Sequence, residues 1–167
     1  MIRNAKLEDA KSISEIYNHY IRESVATFEE VPIEESEMKE RLEKVFGYEL
    51  PWIVDEESGV LAGYAYATKW NLRSAYKYSV EVSVYLNPEY VGSGRGTKLY
   101  TELFEILESK GFHVIIAGIT LPNPASQALH EKFGLRKIAH FEEVGFKFGK
   151  WLDVGYWQRT YPTGPNK

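Results

Sequence analysis

The chain has 167 residues, 44% of them hydrophobic and 26% charged, with a formal net charge of -4. That length suits one domain, and that composition excludes a wholly disordered chain. The negative balance argues against holding nucleic acid through overall charge, and no apolar run approaches the roughly 20 residues that cross a bilayer; with no cysteine present, disulfides, thiolate catalysis and cysteine-held zinc are excluded.

Met1-Ile2-Arg3-Asn4-Ala5-Lys6 leads into charged sequence without a signal peptide's apolar stretch, so a soluble cytoplasmic protein is expected, with neither membrane nor nucleic acid as a partner. Ile2 to Ala5 suits a short first strand. Ile13, Ile16, Tyr17, Tyr20 and Ile21 fall on one face of a helix, with Glu8 and Asp9 suited to its first turn. After the connector Ala26 to Val31, a second helix follows Pro32, burying Met38, Leu42 and Val45 and ending at Gly47. Leu50 to Asp55 and Val60 to Lys69 read as strands joined by the turn Ser58-Gly59. Tyr78 to Leu86 alternates: Tyr78, Val80, Val82, Val84 and Leu86 face one way, and Ser79, Glu81, Ser83 and Tyr85 the other. Leu99, Leu103 and Ile106 mark a helix ending near Gly111. Val114 to Ala117 reads as a buried strand, and Pro124 to Phe133 as a helix stopped by Gly134. Leu135 to Tyr161 reads as two antiparallel strands, broken at Gly145 and Gly149. The tail 162–167 reads as flexible. The order β-α-α-β-β-β-α-β-α-β-β predicts an α/β or α+β fold on one mixed central sheet, filling residues 1–161.

Val91-Gly92-Ser93-Gly94-Arg95-Gly96-Thr97 joins a predicted strand to a predicted helix. Alternate glycines let the backbone curl tightly and let a ligand approach, and the helix offers its unpaired first N–H groups. Together they suit a phosphate or pyrophosphate. The spacing matches neither a Walker A loop nor the dinucleotide-binding fingerprint. On spacing alone, a plain strand–helix turn is the competing reading.

The turn resembles the [R/Q]-x-x-G-x-[G/A] segment of the GNAT acetyltransferases, with Val91 standing where Arg or Gln is usual. The chain is also similar to one subgroup, the phosphinothricin and methionine sulfoximine N-acetyltransferases. The matching stretches are Ile16 to Asn18, Ala26 to Glu29, Gly63 to Ala67, Arg73 to Tyr76, Val80 to Tyr85, Asn123 to Ser126 with Leu129-His130, and Gly145 to Val154. The resemblance implies a GNAT fold whose central strands splay around acetyl-CoA, the co-substrate. Backbone at Val84, Tyr85 and Leu86 would pair with the pantetheine arm. The turn Gly92, Ser93, Gly94, Arg95, Gly96 and Thr97 would wrap the pyrophosphate, and Asn123 and Ser126 would touch the arm. The usual Arg or Gln contributes less than these backbone amides, so Val91 should leave binding intact.

The resemblance also implies the chemistry. An amine attacks the thioester directly, with no covalent enzyme intermediate, and Glu81 is the matching general base; a solvated strand face is the alternative for that residue. A backbone N–H near Val84 would stabilise the oxyanion. His130 occupies the place where many relatives carry a tyrosine acid for the CoA thiolate, and a helix-surface or substrate-contacting histidine is its other reading. Arg73 is the expected clamp for the carboxylate of a glutamate-like acceptor, with Tyr76 beside it and Phe28 as a pocket wall. Lys147 and Trp151 match a C-terminal hairpin that would reach a partner, so a homodimer is expected. His19, His113 and His140 are scattered, and no metal is expected. The expected acceptor is a small amino acid or its toxic analogue, with herbicide or antibiotic resistance as a consequence. Glu29, Glu30, Glu34 and Glu35 keep a cationic acceptor such as an aminoglycoside or polyamine open, a protein N-terminus stays open too, and a non-catalytic acyl-CoA-binding module is the alternative outside enzymes.

Overall fold

The computed structural model describes residues 1–162; the predicted tail falls, apart from Pro162, outside them. The elements follow the predicted order: β1 Ile2–Asn4, α1 Ala10–Glu23, α2 Glu35–Gly47, β2 Trp52–Glu57, β3 Val60–Lys69, β4 Ser79–Leu86, α3 Arg95–Ser109, β5 Val114–Leu121, α4 Pro124–Lys132, β6 Arg136–Lys147 and β7 Lys150–Thr160. They form one seven-stranded sheet in the order β1-β2-β3-β4-β5-β7-β6. Only β4 and β5 pair in parallel, and the helix α3 makes the crossover between them.

Successive residues of a strand point to opposite faces, which divides the layers. Tyr85 of β4 meets Tyr17 and Tyr20 of α1 edge-on, at ring-centroid distances of 5.3 and 5.1 Å, so α1 and α2 cover that face. Leu86 points the other way, towards Gly96 of α3. The core uses the predicted helix stripes. Ile13, Ile16, Tyr17 and Ile21 of α1, and Met38, Leu42 and Val45 of α2, are buried. In α3 the predicted Leu99 and Leu103 are fully covered, each contributing about 1.5–3 kcal/mol by leaving water, but the predicted Ile106 is only half-buried and Leu107 takes the core position beside it.

Several expected limits move, β2 running Trp52–Glu57 and not Leu50 to Asp55. The strand begun at Val114 continues past Ala117 to Leu121, and it stays paired to β7 throughout, Leu121 opposite Asp153. Gly145 does not break the C-terminal run; it lies inside β6, after a register shift between Phe141 and Gly145. Its lack of a side chain serves a packing contact, because a Cβ there would overlap the ring of Phe28.

Candidate active site

β4 and β5 pair only from Ser79–Val114 to Glu81–Ile116. Beyond that point β4 stays on β3 as far as Leu86–Gly63, and β5 stays on β7. The two strands are therefore held at their outer edges while their facing edges part, leaving Val82 to Leu86 with a strand partner on one side only. Glu81 stands at the fork. Its carboxylate is half-buried and makes no hydrogen bond or ion pair among the described residues, and burial pushes it above the ordinary carboxylate pKa. Opposite lies Gly118 of β5, an exposed glycine within a buried aliphatic run. A Cβ there would stand 3.6 Å from Glu81 Oε1 and 3.1 Å from the ring of Tyr156. Trp70 and Phe141 meet that ring edge-on at 5.6 and 5.8 Å, forming an aromatic wall on the Glu81 side.

The parted strands open into a cleft of about 600 Å³. Val84, Tyr85 and Leu86 line one side; Asn123, Ser126 and His130 line the other. Gly92, Gly94, Gly96 and Thr97 close one end. Gly92 and Gly94 take φ of 80° and 79°, which glycine adopts without strain. Gly94 is the N-cap of α3 and no side chain caps that terminus, so the first N–H groups and the positive dipole end are offered to the cleft. Such a terminus fits a pyrophosphate.

Side chains around the turn hold it. Arg95 points away from the cleft: it pairs with Asp55 at 2.7 Å and with Glu57, and its guanidinium lies 4.9 Å from the Tyr90 ring centroid. Burial pushes Asp55 up, yet Arg95 and the Met1 ammonium together hold its carboxyl below the ordinary value. Ser93 Oγ donates to the Tyr90 carbonyl at 2.5 Å. Both side chains brace the turn and leave its backbone, the part expected to wrap the pyrophosphate, open to a ligand. Asn123 caps α4, accepting from Ser126 N at 3.1 Å.

His130 lines the cleft and is not a helix-surface residue. It is 4% exposed, on the inner side of α4. Nδ1 lies 2.7 Å from the Ser126 carbonyl, which only accepts, so Nδ1 carries the proton. Nε2 then accepts from Tyr100 Oη at 2.9 Å. Burial pushes the imidazole below its ordinary pKa, against the opposing hydrogen bond to Ser126. Both ring nitrogens are therefore engaged, and burial favours the neutral ring.

An acetyltransferase (GNAT) domain family matches residues 2–155. The chain belongs to the GNAT acetyltransferases. It is an acetyl-CoA-dependent N-acetyltransferase. It is 39% identical to the phosphinothricin N-acetyltransferase of Streptomyces viridochromogenes, across 96% of this chain and 87% of that one. It is 37% identical to the L-methionine sulfoximine/L-methionine sulfone acetyltransferase of Salmonella typhimurium, across 94% and 92%. A crystal structure of a phosphinothricin acetyltransferase from Sinorhizobium meliloti in complex with acetyl-CoA superposes with a TM-score of 0.95 at 39% identity, covering all 100% of this chain and 91% of that one.

None of the three expected acceptor residues is among those lining this cleft. Arg73 and Tyr76 are exposed on the connector between β3 and β4, at the Glu81 end of the sheet. Phe28 rests on Gly145 of the hairpin. The loop that carries Phe28 is held from both sides. Lys147, 1% exposed, donates to the carbonyls of Ser24 and Thr27 at 2.7 and 2.8 Å. Tyr17 hydrogen-bonds Thr27 and Glu29, and Arg41 grips Glu29 with two nitrogens at 2.8 and 2.6 Å. Gly118, Tyr156 and Tyr100 were not among the expected site residues. An isolated glycine within Val114 to Leu121 was a legible sign of close approach; the tyrosines carried no sign of their own.

Proposed function

We propose that this enzyme acetylates the α-amine of a small amino acid or a glutamate-like analogue of the phosphinothricin or methionine sulfoximine type, with Glu81 as general base. The observation that carries the reading is an unpaired, partly buried carboxylate at the point where β4 and β5 part, facing an exposed glycine. Acetyl-CoA supplies the activated acyl group. Glu81 takes the proton of the incoming ammonium, directly or through one water, so that the free amine attacks the thioester. Backbone N–H groups of β4 beyond the fork accept the negative charge that develops on the acyl oxygen. The uncapped start of α3, with Gly92 to Thr97, holds the pyrophosphate. The departing thiolate takes its proton from solvent, and His130 instead engages the Tyr100 hydroxyl beneath the cleft.

Arg73, free on an exposed connector, clamps the acceptor carboxylate, with Tyr76 and Phe28 at the pocket mouth. The relatives named for phosphinothricin and methionine sulfoximine support this acceptor class. The enzyme works in the cytoplasm as a homodimer, joined through the apolar hairpin of β6 and β7, and acetylating a toxic analogue confers resistance to it.

Thiol release from acetyl-CoA with phosphinothricin, methionine sulfoximine, a set of amino acids, a polyamine and an aminoglycoside tests the acceptor. Release with the glutamate analogues is expected; release only with the polycations overturns the acceptor class. Glu81→Gln should lower turnover about 100-fold or more while leaving acetyl-CoA affinity unchanged. Full turnover in that variant removes Glu81 from the mechanism.

A further inference from the structure

A second cavity, of about 240 Å³, lies between α2 and the sheet and shares no lining residue with the cofactor cleft. Its walls include the rings of Tyr17, Tyr48, Trp52, Tyr64 and Tyr66. Trp52 and Tyr66 stack at 4.1 Å and 13°, giving a rigid flat side. The formally charged residues on the lining are Arg41, Lys44 and Lys69, with no carboxylate among them, in a chain of net charge -4. Arg41 is committed to Glu29 and Glu37, and Lys69 sits 3.9 Å from the Tyr48 ring centroid. Lys44 has no partner among the described residues. Among the described residues, Trp52 carries the one buried side-chain polar atom without a hydrogen bond, its indole N–H.

The cavity also lies close to the fork. Thr68 and Tyr66 line it, and they are the direct cross-strand partners of Glu81 and Ser83 on the same face. Side chains paired in that way stand about 5 Å apart.

We infer that this cavity binds a small carboxylate with a flat or branched apolar body. The size fits: a dry cavity of about 150 Å³ takes benzene, so a space of about 240 Å³ holds a ring and a short acid arm. The aromatic walls take the body, and Lys44 and Lys69 take the carboxylate at the mouth, where each ammonium is a point charge on a flexible stem. The ligand is either the body of the acceptor amino acid itself, reaching across β3 from Glu81, or a separate acid beside it. The assignment does not rest on Glu81 being the base.

Phenylacetate is the probe and phenylacetamide its neutral control, both titrated calorimetrically into the full chain saturated with CoA. Phenylacetate should bind at least tenfold more tightly than the amide. Charge reversal in Lys44→Glu/Lys69→Glu should weaken phenylacetate at least tenfold while acetyl-CoA affinity, measured in parallel, stays within twofold. Tryptophan quenching by phenylacetate should vanish in Trp52→Phe. Equal binding of acid and amide, indifference to charge reversal, or no binding at millimolar concentration overturns the assignment. In initial-rate kinetics, competition with the acceptor identifies the ligand as the acceptor's own body, and a non-competitive pattern identifies a second molecule; both support the site. Acceptor turnover without phenylacetate binding defeats this inference alone, and phenylacetate binding without turnover on any amine defeats the acceptor reading alone.

Discussion

A glutamate in water loses its proton near pH 4.3 and is a weak base at neutrality, whereas an α-amine in a peptide titrates near 8. Burial without a cation narrows that gap from the carboxylate side. As the proposed base Glu81 works as the anion, so activity should fall as pH drops through its raised pKa. A kcat/KM profile should therefore show an acid limb above the ordinary carboxylate range, and Glu81→Gln should abolish that limb. Gly118→Ala tests the opening beside it. The new methyl would press on Tyr156 at 3.1 Å and crowd Glu81, so acceptor kcat/KM should fall about three- to tenfold, since misplacements well under 1 Å already slow chemistry; acetyl-CoA binding should hold. His130 makes a prediction about stability. Its folded pKa is depressed, so the unfolded chain binds the extra proton first. Its contribution is complete above the unfolded value of about 6.5 and is lost as pH falls through the lower folded value. Melting temperatures at pH 7.5 and 5.5 should drop further apart in the wild type than in His130→Gln.

The glycine turn depends on its own backbone conformation, and the loop before α2 on a contact from another element. Gly94 has φ of 79° at the start of α3. An alanine there costs about 1–2 kcal/mol in that backbone region, so Gly94→Ala should weaken acetyl-CoA binding measurably and shift the melting temperature down. Lys147 ties the loop before α2 to β6 through two carbonyls. Lys147→Met leaves both acceptors without that donor, at about 1–3 kcal/mol where they are buried. Hydrogen exchange should rise across residues 24–31, and acceptor KM should rise more than the KM for acetyl-CoA. Unchanged exchange in that loop would show that Tyr17 and Arg41 hold it unaided. The glycine turn was legible because its spacing has a backbone meaning. The loop's fastening was not, since Lys147 lies more than a hundred residues from the carbonyls it meets.

At the scale of the molecule, β6 is the edge strand of the sheet, and its hairpin exposes Phe141, Val144, Phe146, Phe148 and Trp151. Contiguous exposed apolar groups on an edge mark an interaction surface. Light scattering behind a sizing column should give a dimer mass for the wild type and a monomer mass for Phe146→Glu/Trp151→Glu. A wild-type monomer at micromolar concentration would remove the homodimer from the proposed function.

By itself the sequence determined the element order, the apolar stripes of α1, α2 and α3, the alternation of β4 and the place of the glycine turn. Each follows from local periodicity or from a backbone conformation that few residues tolerate. It also marked Glu81 on a face apart from Val80 and Val82. Only the tertiary structure decided that β4 and β5 part just beyond that glutamate, that Gly118 stands across from it, that Arg95 is bound to Asp55 and Glu57, and that His130 is buried against Tyr100. These are pairings between residues distant in the chain, and a side chain's protonation and direction are set by the partners that packing brings to it.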